Sequence, residues 1–180
     1  MRVTRDVMRI AGLVLFPGVL CMALGCCQQQ AGDPPATEGI TDLLERSLAI
    51  WNEGNLDLVD ELYAPGYVRH FVNMDEDVVG LDAFKEEITE FLTGFPDLFV
   101  TLDEIIVSSD KVAFRWTLTG TNTGPLDELP ATGRSVQVSG VVISHLVDGK
   151  VVEDWLYYNQ GALLQQLGFA LVPPTFEAEE

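Results

Sequence analysis

Two side chains near the end of the chain are spaced to handle a proton. Asp154 and Tyr158 flank Leu156 at alternate positions. Alternate residues of a strand share one face. A positioned carboxyl beside a carbonyl compound can remove a proton from carbon, and a phenol can donate a hydrogen bond to a ligand oxygen. Asp154 is the only carboxylate of this last apolar run with that parity. The chain's two histidines, His70 and His145, are the other groups that titrate near neutrality. Asp75-Glu76-Asp77 lacks the glycine and the bidentate glutamate of a calcium loop and reads as a solvated acidic loop. The sequence has no zinc-ligand spacing, no serine nucleophile elbow and no phosphate loop.

These residues need a sheet to hold them. Val138–Val147 and Val151–Tyr158 are rich in branched apolar side chains and are separated by Asp148-Gly149, the pair that a type I′ hairpin turn requires. A two-residue turn there sets Val141 opposite Leu156, with Val142 beside it, and puts His145 on the other sheet face from Val142. Trp155 and Tyr157 point away from Asp154 and are expected to be packing residues. Upstream, Ile40, Leu43, Leu44, Ser47, Leu48 and Trp51 recur at helical spacing behind a cap at Thr41 or Asp42. Leu56–Leu62 is a second helical piece ended by Pro65-Gly66, and Tyr67–Phe71 a short strand. Leu81–Phe95 is a third helix with Phe84, Ile88, Phe91, Leu92 and Phe95 inward and Lys85, Glu86, Glu87 and Glu90 outward. Leu98–Val107 and Lys111–Thr119 are strands, 121–134 a Gly/Pro-rich loop, and Ala162–Leu167 a short helix. Trp51, Phe91, Phe95 and Trp116 sit at core spacing. Helices first and an antiparallel sheet after them argue an α+β fold with helices on one face of a curled sheet. The space between the two layers is a usual place for a small ligand.

Composition bounds the rest. The chain has 180 residues, 47% of them hydrophobic, enough for one domain with a core of its own. A formal net charge of -18 excludes a nucleic-acid role, which needs a basic face. The N-terminus is a separate object: Arg2, Arg5 and Arg9 precede an apolar stretch, Ile10–Leu24, too short for a membrane span. All three cysteines lie at 21, 26 and 27, so the domain beyond them rests on its core without a disulfide. Ala23-Leu24-Gly25-Cys26 resembles the lipobox of bacterial lipoproteins, although leucine is usual where Ala23 stands. The resemblance implies export, cleavage before Cys26, a lipid on that cysteine and a place in the cell envelope, with membrane attachment through the lipid alone. Cys27 at the next position points to the outer membrane where the cell has one. A plain secretory signal or an uncleaved anchor are the alternatives. The expected organisation is a signal over 1–25, a flexible tether over 26–38, the α+β domain over 39–170 and an acidic tail over 171–180.

In order and spacing, several short pieces together resemble the SnoaL-like polyketide cyclase and ester cyclase family of the nuclear transport factor two-like superfamily. They are Tyr67-Val68-Arg69-His70, Phe95-Pro96-Asp97-Leu98, Gly120-Thr121-Asn122, Pro130-Ala131-Thr132-Gly133-Arg134, Val147-Asp148-Gly149-Lys150, Glu153-Asp154-Trp155 and Gln166-Leu167-Gly168. The resemblance runs from about Ile40 to Phe169. It implies a cone-shaped curled sheet whose N-terminal helices cover an apolar pocket. It also implies metal-free and cofactor-free chemistry on a small apolar or carbonyl-containing molecule, and a homodimer formed through the sheet. The family's cyclases use an aspartate on the last strand, held by a histidine on the strand before it.

Here those two positions are Leu156 and Val142, neither of which moves a proton. Gly66 and Asn122 also stand where the family often has Asp and His. The implied pocket residues are therefore His70, Val142, Leu156, Tyr158 and Asn122, with His70 at the rim. Three functions stay open: a binding protein that lacks the cyclase pair, an enzyme using Asp154, His70 or Tyr158, and a dimeric interaction domain of the envelope.

Overall fold

The structure is a computed structural model that describes residues 35–72, 77–127, 129–170 and 172. The expected signal over 1–25, Cys26, most of the tether, Asp75, Glu76 and nearly all of the acidic tail lie outside the described residues. Residues 35–38, expected in the tether, are the first residues of a helix.

The elements are α1 (Pro35–Glu53), α2 (Asp57–Leu62), β1 (Tyr63–Phe71), β2 (Val78–Val79), α3 (Leu81–Gly94), β3 (Phe99–Ser108), β4 (Lys111–Thr121), β5 (Ser135–Val147), β6 (Lys150–Tyr158) and α4 (Gln160–Gln166). They form a curled, open, six-stranded sheet in the order β2-β1-β6-β5-β4-β3. The helices and the inner sheet face share one core, with Tyr67, Phe84, Ile50, Ile88 and Val59 fully buried. β1 begins earlier than expected, directly after α2, so that Pro65-Gly66 lies within the strand and its register slips between Tyr63 and Val68.

The sheet is mixed, which corrects the expectation of a purely antiparallel one. β1 runs parallel to β6, while the other pairs are antiparallel. Parallel neighbours need a long crossover. Here α3 and strands β3 to β5 supply it, and this leaves β1 free to close against the last strand.

The hairpin register also differs from the expected one. Asp148 and Gly149 have φ of 50° and 77°, as a type I′ turn demands. Leu146 pairs with Val151, but His145 pairs with Glu153, so Val152 has no cross-strand partner. This is a β-bulge. It shifts everything beyond it by one residue, so Val142, not Val141, faces Leu156. The bulge also resets which side chains point inward. Val151 is buried before it, and Asp154 and Leu156 are buried after it, at opposite parity. If the same residues ran on from Val151 as a regular strand with no bulge, Asp154 would face solvent. On the outer face, Trp155 and Tyr157 are each 41% exposed beside Val141 and Ile143, so they are surface residues and not packing residues.

Candidate functional site

A cavity of about 110 Å³ lies between the helices and the inner sheet face. At roughly 10–15 Å³ for each water-sized group, it has room for a ligand of roughly seven to eleven non-hydrogen atoms. Its wall is mainly apolar and includes Trp51, Phe91, Phe95 and Trp116. These four, expected as core alone, are the core's cavity-facing surface. Val142 and Leu156 also line it, on the paired inner positions of β5 and β6. Tyr158 and Asp154 complete this part of the wall.

One end of the cavity carries buried charge. Tyr67, Arg69 and Phe71 alternate inward along β1, and that alternation carries the Arg69 guanidinium into the protein, where it is 5% exposed. It lies over the Phe84 ring at 4.3 Å and near that of Trp51 at 5.6 Å, a favourable cation–π setting. Arg69 Nη1 donates to Glu87 Oε1 at 3.0 Å, Nη2 to Asp154 Oδ2 at 3.5 Å, and Nε to the Tyr67 hydroxyl at 3.1 Å. The Tyr67 hydroxyl in turn donates to Asp154 Oδ2 at 2.6 Å, and the Ser144 hydroxyl donates to Asp154 Oδ1. Burial alone would favour loss of the arginine proton, but Glu87 foremost holds the guanidinium firmly charged. Burial pushes the Glu87 carboxyl above its usual range, against the opposing pull of Arg69. Burial and then the charge of Glu87 raise the Tyr158 phenol.

Glu87 and Arg69 were not singled out by sequence, and Glu87 was expected to face solvent. The structure turns it inward. The available signal was spacing: Glu87 lies three residues after Phe84 and four before Phe91, on the apolar stripe itself. Arg69 likewise keeps the period of Tyr67 and Phe71. Asp154, by contrast, is 2% exposed and points at the cavity, with both oxygens engaged by Tyr67, Ser144 and Arg69.

Two expected pocket residues lie elsewhere. Asn122 is 1% exposed and does not line the cavity. Its amide nitrogen donates to the Gly94 and Gly124 carbonyls, and its amide oxygen accepts from the Thr132 backbone N–H and hydroxyl. With those bonds made it fastens the 121–134 loop to the end of α3. His70 is also absent from the cavity wall. It stacks on Trp155 at 4.2 Å, on the outer side of the sheet. Its Nδ1 meets Asp77 at 2.9 Å and its Nε2 meets Glu153 at 3.0 Å. His145 meets the other Glu153 oxygen at 3.2 Å, so one carboxylate bridges both histidines. Among the described residues, no cluster of His, Cys, Asp and Glu is arranged to hold a metal ion.

The sequence model of the SnoaL-like polyketide cyclase family matches residues 41–167. Solved structures agree. TsrD from Streptomyces laurentii is 30% identical, with a TM-score of 0.65 over 73% of this chain and 96% of its own. AclR from Streptomyces galilaeus, proposed to be a hydroxylase, is 33% identical, with a TM-score of 0.65 over 76% and 85%. A protein from Jannaschia sp. CCS1 assigned as a SnoaL-like polyketide cyclase is 27% identical, with a TM-score of 0.63 over 74% and 94%. No curated protein matches the chain. The chain belongs to the SnoaL-like polyketide cyclase family.

The outer histidine makes stability depend on pH. Burial tends to lower the His70 pKa, but hydrogen bonds and charge from Asp77 and Glu153 outweigh it and raise the pKa above 6.5. Its stabilising contribution is complete below about pH 6.5 and is lost as pH rises through the higher folded value. Glu153 is held below 4.5, first by the His70 hydrogen bond, so its contribution disappears only in acid, as pH falls through its folded value. The urea midpoint is therefore expected to fall as pH rises above about 6.5. His70→Gln should flatten that fall, and an unchanged slope in the variant would refute the assignment.

Proposed function

Starting from family membership, we propose that this protein is a receptor for a small, largely apolar molecule bound in the cavity between its helices and sheet. The observation that carries this reading is the pairing of Val142 with Leu156 on the cavity wall. These are the positions at which the resemblance expects an acid–base pair, and both are hydrocarbon. An apolar wall with a few placed polar groups is the common design of small-molecule sites. The alternative, a cyclase- or isomerase-type enzyme, draws support from Asp154 and Tyr158, which both face the cavity. Against it, the oxygens of Asp154 already accept from three side chains, and His70 lies across the sheet.

A dimer and an envelope location are part of the same proposal. The contiguous exposed apolar side chains Val141, Ile143, Trp155 and Tyr157 support a homodimer through the outer sheet face. The basic, apolar and small-residue layout ending at Cys26 supports a lipid-anchored exported protein.

Three outcomes are expected. The chain binds ethylbenzene in calorimetric titration, and Val142→Trp, which fills the cavity, weakens this by at least about tenfold while keeping a cooperative melt; unchanged affinity would place the ligand elsewhere. Ile143→Glu combined with Trp155→Glu converts a dimer to a monomer in light scattering, an outcome ruled out if the wild type is itself monomeric. Cys26→Ser moves the protein from the membrane fraction to the soluble one, and persistent membrane attachment would argue for an uncleaved anchor.

A further inference from the structure

We propose that Glu87 and Trp116 form a two-point polar recognition site inside the cavity. It selects an uncharged, mostly apolar ligand that carries one hydrogen-bond donor and one acceptor, an aromatic hydroxy ketone being the simplest kind. The inference rests on the receptor reading of the same cavity and adds the chemistry of the ligand.

Among the described residues, two buried side-chain polar atoms have no hydrogen-bond partner: Glu87 Oε2 and Trp116 Nε1. Leaving such an atom unpaired costs about 1–3 kcal/mol, and more when it is charged. One comes from α3 and the other from β4, elements far apart in sequence, yet both residues line the same cavity. Their characters are complementary. The carboxylate oxygen asks for a donor, and an indole N–H can only donate, so it asks for an acceptor. Glu87 cannot swing away to satisfy itself, because Arg69 holds its other oxygen at 3.0 Å. Gly140, the cross-strand partner of Trp116, leaves room for the indole to lie against its backbone: a Cβ there would lie 2.4 Å from Trp116 Cζ2.

Charge excludes the other ligand classes. Arg69 faces two carboxylates, Glu87 and Asp154, so the polar end of the cavity carries one net negative charge when all three are ionised. A ligand carboxylate would be repelled there in a medium of low dielectric. An ammonium group would lie beside the guanidinium that already occupies Glu87, and it brings no acceptor for Trp116. A neutral hydroxyl with a carbonyl satisfies both atoms.

The test is calorimetric titration of the full chain with ethylbenzene, 4-ethylphenol, acetophenone, 3- and 4-hydroxyacetophenone and 4-ethylbenzoate. Hydrophobicity alone ranks ethylbenzene first. The proposal expects the reverse: one of the hydroxyacetophenones binds at least about tenfold tighter than ethylbenzene, the two singly polar probes fall between, and the benzoate does not bind. Glu87→Gln keeps an oxygen for Arg69 and turns an amide N–H₂ toward the cavity. It should therefore invert the order of 4-ethylphenol and acetophenone. Trp116→Phe should erase the advantage of acetophenone over ethylbenzene, and it serves as the test if Glu87→Gln does not melt cooperatively. Ethylbenzene binding as tightly as every polar probe, with neither variant changing the order, would overturn this inference and leave the receptor reading standing. No heat from any probe would overturn both.

Discussion

A guanidinium keeps its charge even inside a protein, so a buried one needs partners that replace its lost hydration, and Arg69 organises its neighbourhood around that need. It ties β1 to α3 through Glu87 and to β6 through Asp154. Asp154 passes the connection to β5 through Ser144 and back to β1 through Tyr67. Removing one member of such a buried pair typically costs about 3–5 kcal/mol, because the partner charge is left uncompensated. The parallel β1–β6 contact, the least local pairing in the sheet, thus has a polar clasp in its middle. The same clasp places two carboxylates at the end of an otherwise apolar cavity.

The bulge at Val152 is the second requirement. It switches the parity of β6, so one strand can bury Val151 near the hairpin turn and still aim Asp154, Leu156 and Tyr158 at the cavity. Its outward counterparts Glu153 and Trp155 then meet His70, and Tyr157 joins the exposed apolar face. A single inserted residue therefore divides the strand between an inner chemistry of arginine and carboxylates and an outer one of histidines and aromatic rings.

Local signals made much of the fold legible. Asp148-Gly149 announced its turn, the spacing of Leu43, Leu44 and Leu48 announced α1, and Phe84, Ile88 and Phe91 announced α3. The bulge was not legible, because Val151-Val152-Glu153 differs in no propensity from a regular strand; only the need to bury Asp154 selects it. The parallel pairing was hidden because it joins residues some 85 positions apart, such as Arg69 and Asp154. In the site, Asp154 and Tyr158 followed from strand alternation about Leu156, whereas Leu156 and Val142 were placed by resemblance and the hairpin turn alone pointed to Val141. Glu87 was missed because charge outweighed position in reading its helix, although it lies on the stripe. Asn122 and His70 were placed at the pocket by resemblance, and their side chains are instead held by the loop they fasten and by outer-face carboxylates.

The central claim is that the cavity holds a small molecule. It is tested most directly by native mass spectrometry of the full chain, purified gently from its own host. The account predicts a bound mass of a small organic compound that is lost on denaturation, and a fragmentation pattern with hydroxyl and carbonyl groups. A species carrying no non-covalently bound mass in any charge state would contradict it.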